Sequence, residues 1–222
     1  MTQRILEAEW LDELPPQDPR AVRSRADLRR VNWMMGNART LSRVLSRHAK
    51  QGMRVADLGS GDGRLMLRVA RRLPRGMDVV LVDRAPVVSP ATLREFEALG
   101  CKVRVAARDA LDFVSHEQTD VIVANLFLHH LDDPSLKRLF AAQRARLLVA
   151  CEPRRSALAL AGCSLMWLIG CNDVTRHDAR VSVRAGFRGN ELSRLWPSSD
   201  WILEERAAPP FSHLFVARRD AP

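Results

Sequence analysis

The sequence predicts an α/β fold built on a seven-stranded, mostly parallel sheet, with an antiparallel C-terminal hairpin and an N-terminal helical cap. Three observations predict it. From Arg54 onward, short runs rich in Val, Leu and Ala alternate with helical patterns, as parallel strands joined by crossover helices require. The chain finishes on two strand-like runs, "WILEERAA" and "FSHLFVARR", separated by Pro209 and Pro210, so hairpin pairing sets at least one strand against the rest. A length of 222 residues with 46% apolar side chains is enough for one domain with a proper core.

Taken in order, the first fifty residues look helical and separate from the remainder of the chain. Asp18 and Pro19 offer an N-cap and a first-turn residue. Leu28, Val31, Met34, Met35, Leu41 and Leu45 then recur at roughly helical spacing. Five strand candidates come next: "RVADL", "DVVLVD", "KVRVAA", "DVIVAN" and "RLLVAC". Each reads as a nearly continuous apolar run, as expected where helices cover both faces of a sheet. Between them, Ser89 and Pro90 open a helix that Gly100 closes, Asp133 and Pro134 open another, and "GNELSRLW" forms a short one near the end. The run "SALALAGCSLMWLIGC", Ser156 to Cys171, carries no charge yet falls short of the roughly 20 residues of a membrane span. Its simplest reading is a buried helix. The alternatives are an apolar pocket wall, or a patch resting on membrane while arginines meet lipid headgroups.

Composition narrows the function. The net charge of +9 is carried by arginine, since Lys50, Lys102 and Lys137 are the only lysines. These arginines are scattered and form no single block, which argues against dedicated nucleic-acid binding. Cys101, Cys151, Cys163 and Cys171 make no C-x-x-C pair and neither a disulfide framework nor a zinc site. The start, "MTQRILEAEWLDEL", is acidic and lacks the apolar core of a secretory signal. A cytoplasmic protein is expected, with peripheral membrane contact as the alternative.

The stretch "VADLGSGDGRL" places a strand, a tight glycine turn and a helix start in succession, where backbone N–H groups can face a ligand. A dinucleotide fingerprint fails in either register, because Arg64 or Met66 falls where the last glycine belongs. A P-loop fails too, for no Gly-Lys-Ser/Thr triplet occurs after the turn. What remains is D-x-G-x-G-x-G, then Asp83 at the end of the next strand, where a carboxylate can accept both hydroxyls of a ribose. Asp109 lies just past the third strand and Asn125 ends the fourth. All fall at the carboxyl edge of one sheet, where open α/β folds bind ligands.

This ordered series, from about Arg54 to Arg219, resembles the class I S-adenosylmethionine-dependent methyltransferases with their Rossmann-like sheet, specifically the small-molecule type related to quinone- and phenol-methylating enzymes. The resemblance implies a helical cap or lid over residues 1–50, a methyltransferase domain over 51–222 and a substrate-side insertion at about 153–190. It implies S-adenosylmethionine as cofactor, with Asp57, Gly59, Gly61 and Gly63 in the first loop, Asp83 on the ribose and Arg84 beside the adenine. Asp109 would face the adenine amino group, with Ala110 offering backbone, and Asn125 and Leu126 would lie along the methionyl part.

A sulfonium methyl is already activated, so the protein's task is to exclude water, align a nucleophile and, for a hydroxyl acceptor, remove a proton. His129 and His130, directly after the fourth strand, are the candidate bases because imidazole titrates near neutrality. Glu152 ends the fifth strand and could orient that imidazole or form a plain ion pair. No third ligand stands at metal spacing from the pair, so no metal is expected. Trp33, with Asn32 and Asn37, could close over the cofactor or merely pack; Trp167 belongs to the candidate pocket wall; His177 is a second base candidate or a solvated loop residue. The expected reaction is O-methylation, or less favourably C-methylation, of a small lipophilic aromatic or polyketide-type acceptor. The alternatives are a nucleic-acid or protein methyltransferase, though "NLFLHH" lacks the N-P-P-aromatic tetrad of base-methylating enzymes, and a non-catalytic cofactor-binding partner of a biosynthetic enzyme. The sequence assigns no oligomeric state.

Overall fold

The computed structural model describes residues 3–15 and 17–219. Helices α1 (Trp10–Glu13), α2 (Pro19–Met35) and α3 (Asn37–Leu45) precede the first strand. Strands β1 (Arg54–Leu58), β2 (Asp78–Asp83), β3 (Lys102–Ala107), β4 (Val121–Asn125) and β5 (Leu147–Pro153) alternate with α4 (Arg64–Ala70), α5 (Pro90–Ala98), α6 (Ala110–His116) and α7 (Asp133–Ala142). After β5 come α8 (Ala157–Ser164), α9 (Asp173–Ala185) and α10 (Glu191–Leu195), then β6 (Ile202–Ala208) and β7 (Ser212–Arg218). The helix starts follow from side-chain capping: Asp18, Ser89, Asp109, Asp132, Ser156 and Asn172 each accept a backbone N–H of the first turn, worth about 1 kcal/mol apiece.

The strands lie in the order β3-β2-β1-β4-β5-β7-β6. β1 to β5 pair in parallel, and β7 runs antiparallel between β5 and β6. The order reverses between β1 and β4, which opens a crevice at the carboxyl ends of those two strands. One face carries Phe113, Phe140, Leu192, Trp196 and Phe215 beneath α6, α7 and α10. The other carries Leu41, Leu45, Met66, Val69 and Phe96 from α3, α4 and α5. Truncating any of these to Ala removes several buried methylenes and costs about 2–5 kcal/mol.

Two local expectations change. β3 is an edge strand, with Lys102 and Arg104 exposed, so it alternates instead of running apolar throughout; charge on an edge also blocks strand addition. The charge-free run is not a buried helix. It breaks into α8 and a short 3-10 turn, Met166–Ile169, and Leu158, Leu165, Trp167 and Leu168 are each more than half exposed. The N-terminal helices divide as well: Gly36, at φ 69°, ends α2 and starts α3. Leu41 and Leu45 then sit inside the core while Val22, Trp33 and Met34 on α2 stay exposed.

Candidate active site

The parallel register aligns the strand ends, since Leu58 pairs with Val82 and Ala124, and Asn125 with Cys151. Gly59, Asp83, Asn125 and Glu152 therefore emerge along one edge. Gly59 and Gly63 have φ of 70° and 71°, and a Cβ at Gly63 would lie 2.8 Å from Leu81 Cδ1. Both the left-handed backbone and the close approach demand glycine there. The Asp83 carboxylate receives the Gly61 N–H at 2.8 Å through one oxygen and the Ala85 N–H at 2.9 Å through the other, so the acid after β2 already clasps the loop after β1. Asp57 lies beneath, 2% exposed. Burial and the neighbouring Asp83 charge push its carboxyl up to about 8, so it keeps its proton at neutral pH and would lose it to solvent beside a cation.

Asp109 has two roles at once. One oxygen caps α6 through the N–H groups of Leu111 and Asp112, and the other accepts from Arg84 Nε at 2.9 Å. Asn125 accepts the Asn37 side-chain N–H at 2.8 Å, and Asn37 in turn accepts the Ser212 hydroxyl at 2.6 Å. This buried chain ties α3 to the ends of β4 and β7.

After β4 the backbone makes a turn that Glu152 organises. Leu126 stands at φ 51° without being glycine, a conformation that costs about 1 kcal/mol or more and persists only when its surroundings enforce it. The enforcement is visible: Glu152, fully buried, accepts the backbone N–H groups of Phe127 at 3.1 Å, Leu128 at 3.0 Å and His129 at 3.3 Å. The same carboxylate bonds His129 Nδ1 at 2.8 Å. His129 Nε2 points the other way, 3.7 Å from Glu9 Oε1, an ion-pair distance too long for a hydrogen bond. Burial alone would depress this imidazolium, but the Glu152 bond and the Glu9 carboxylate overcome it and push His129 up to about 9. His130 lies against His129 at the exposed rim, with ring centroids 4.2 Å apart and the rings tilted by 35°. The atoms crowding its ring and the His129 charge hold it below its ordinary value.

Glu9 is the residue that sequence spacing missed. It comes from the segment before α1, which crosses the mouth of the site and is pinned at both ends. Arg4 donates to the carbonyls of Ala185, His129 and Leu131 and pairs with Asp133 at 2.8 Å, with its guanidinium 4.3 Å over the Phe187 ring. Asp178, buried on α9, accepts the backbone N–H groups of Trp10 and Leu11 at 2.9 and 3.0 Å. Beneath this strap lies a cavity of about 280 Å3 lined by Leu6, Glu9, His129, His130, Val181 and Ala185, among others. Glu9, His129 and His130 bring one ligand-type atom each within 4.8 Å of one another, so the third group absent from the local sequence is supplied from the far N-terminus.

The remaining predicted residues fall elsewhere. His177 stacks on Trp10 at 3.8 Å and bonds Asp178 at 3.0 Å, so it fastens the strap and does not line the cavity. Trp33 and Trp167 are 71% and 59% exposed and line neither this cavity nor the larger groove, about 470 Å3, between α3 and β6–β7. That groove is rimmed by Arg43, Arg47, His48, Arg206 and Arg218 and contains none of the predicted residues.

Residues 55–148 match the family described as a methyltransferase domain. A comparison with curated proteins finds no match. Among solved structures, the plantazolicin methyltransferase BpumL in complex with SAH superposes with a TM-score of 0.64 at 14% identity, covering 92% of either chain. The pyocyanin biosynthetic protein PhzM gives 0.61 at 21%, over 96% of this chain and 62% of that one. An O-methyltransferase family protein from Burkholderia thailandensis gives 0.61 at 18%, over 93% and 63%. The β3-β2-β1-β4-β5-β7-β6 sheet and the match over its first four strands lead to one conclusion: residues 55–148 carry a methyltransferase domain, on the Rossmann-like fold that these methyltransferase structures share.

Proposed function

We propose that the chain methylates an oxygen of a small lipophilic aromatic or polyketide-type acceptor held in the cavity beneath the N-terminal strap. The observation that carries this proposal is the Glu152–His129 bond of 2.8 Å at the end of β4, facing that cavity. Bound S-adenosylmethionine supplies a methyl group already activated on a sulfonium. The residues of the chain have the remaining tasks. Gly59, Gly61 and Gly63 give the backbone its close approach, and Asp57 supplies a carboxyl able to ionise beside a cation. Asp83 accepts ribose hydroxyls with the lone pairs its two N–H contacts leave free, a carboxylate offering about four. Arg84, Asp109 and Ala110 border the adenine, and Asn125 and Leu126 the methionyl part.

Of the two imidazoles, His130 is placed to take the acceptor's proton, being exposed to the cavity and neutral. His129 holds its own proton between Glu152 and Glu9, and stabilises the anion as it forms. Leu6, Val181 and Ala185 give the cavity an apolar side for an aromatic ring, while Glu7, Glu9, Asp12 and Arg84 supply a polar remainder that an acceptor hydroxyl can meet. The test is incubation with labelled methyl donor and a panel of phenols, quinols and lipid extracts, followed by mass detection. A phenolic methyl ether is expected; methyl transfer to RNA, DNA or protein alone would replace the acceptor class.

A further inference from the structure

Helix α9 has three sides with different neighbours. Val181 and Ala185 line the cavity. Ala179 and Val183 pack against Ala159, Cys163 and Met166 of the α8 segment. Between these two sides Arg176, Arg180 and Arg184 follow one another at i, i+4 and i+8, which sets them in a single row. Arg180 and Arg184 are exposed. Among the described residues the only acidic contact along the row is Arg184 to Glu7, loose at 3.9 Å and half exposed at both ends.

Beside the row stands the uncharged stretch Ser156–Cys171. It presents Leu158, Leu165, Trp167, Leu168 and Ile169 to solvent, from 38% to 63% exposed. Five large apolar side chains gathered on one helix and its following turn are not the scattered exposure that any surface shows. Arg23 borders the patch on its far side, where it donates to the Gly170 carbonyl at 3.2 Å. Among the described residues no helix is long and apolar enough to cross a membrane, so insertion across a bilayer is not the use of this stretch.

We infer that this face docks on an anionic lipid bilayer, with the α8 segment dipping into the interface and the α9 arginines meeting headgroups. The charge complementarity selects the occupant. An apolar prow flanked by cations is the composition of an interfacial segment, which gains from both acyl contact and anionic headgroups. A second copy of this chain would bring a second arginine row against the first. The placement also serves the site, because α9 is the wall shared by the lipid-facing patch and the acceptor cavity, one helix thickness apart. This part of the inference rests on the proposal that the acceptor is lipophilic; the docking itself does not.

Co-sedimentation of the full chain with vesicles of equimolar phosphatidylcholine and phosphatidylglycerol tests it, without acceptor or turnover. Binding is expected to those vesicles and to be at least about 10-fold weaker to phosphatidylcholine alone. Leu165→Ser with Leu168→Ser should lower partitioning by about 100-fold at any salt. Arg180→Ala with Arg184→Ala should lower it by about 10-fold or more, and only at low salt. Unchanged S-adenosylhomocysteine affinity establishes that these surface variants are folded. No wild-type sedimentation, equal binding by both double variants, or concentration-dependent dimerisation lost in Leu165→Ser with Leu168→Ser in place of lipid binding would each overturn the inference. Vesicle binding without methylation of any phenol or quinol would instead leave docking intact and refute the acceptor class.

Discussion

Two buried glutamate–histidine pairs sit at one side of the sheet, and only one opens on a cavity. Glu152 of β5 bonds His129 at 2.8 Å and gathers three backbone N–H groups after β4. Glu205 of β6 bonds His213 at 2.9 Å and gathers the N–H groups of Leu192 and Ser193 at the start of α10, with the Ser193 hydroxyl. Glu152 and His213 are even direct partners across β5 and β7. Both carboxylates do the same structural work, satisfying a helical turn that would otherwise bury bare donors. The difference lies in the second nitrogen of His129, which turns toward Glu9 and the cavity. A buried Glu–His pair is thus a fastening by default and becomes chemistry only where the free edge of the imidazole meets space for a reactant.

The largest expected effect separates the two pairs by turnover. Glu152→Gln, which leaves an amide where three N–H groups and an imidazole seek a carboxylate, should lower kcat about 100- to 1,000-fold with whichever acceptor is found. Glu205→Gln should leave kcat within about two-fold. Steady-state kinetics on both variants decides, and equal losses would break the distinction.

Stability should show the reverse emphasis. Burial pushes the Glu205 carboxyl up, but His213 and the Ser193 and Leu192 donors more than offset it and hold it below its ordinary 4.5. An acid depressed in the folded state contributes stability above that value and loses it as pH falls through the folded one. Acid titration of the melting temperature should therefore show a limb below about pH 4.5 that Glu205→Gln flattens, at a cost of about 2 kcal/mol at neutral pH. An unaltered limb would mean that the Glu205 bonds do not persist in solution.

Asp83→Ala addresses the clasp at the crevice. Calorimetry with S-adenosylhomocysteine should show affinity reduced about 10-fold, as for the loss of one or two hydrogen bonds to a charged group. The smallest effect is a proton count. Asp57, raised to about 8 from an ordinary 3.8, is protonated in the free folded protein at neutral pH although it is ionised when unfolded. The free chain should thus lose stability as pH rises between about 4 and 8. Binding of the cationic cofactor should release about one proton at pH 7, read as buffer-dependent heat, and Asp57→Asn should abolish both signals.

How much of this was legible depends on where the information resides. The inner strands could be read because each carries its own local apolar run, whereas the edge strands β3 and β6 alternate; Asp83, Asp109 and Asn125 could be placed because strand ends in a parallel sheet share one edge. Glu152 as the orienting partner of His129 was legible for the same reason. Glu9 was not, because the segment before α1 has no periodicity of its own and is placed by distant groups, Arg4 on the His129 and Leu131 carbonyls and Asp178 on the Trp10 and Leu11 amides. Trp33, read as closing over the cofactor or packing, and Trp167, read as a pocket wall, both face outward, because a large aromatic type does not by itself say which side of a helix it takes. The Gly36 break in the N-terminal helix was hidden because the apolar spacing continues across it while only its second half, at Leu41 and Leu45, enters the core.

The central claim is that adenosine lies across the carboxyl ends of β1 and β2, between the Gly59–Gly63 loop and Asp83. A Cβ on Gly59 would stand 2.5 Å from Phe127 Cδ2, so the Phe127 ring packs directly on that loop. A crystal structure of the S-adenosylhomocysteine complex should find the ribose hydroxyls on the Asp83 carboxylate and the Phe127 ring displaced from Gly59. Adenosine found in the arginine-rimmed groove between α3 and β6–β7, with the Asp83 carboxylate still confined to Gly61 and Ala85, would contradict the account.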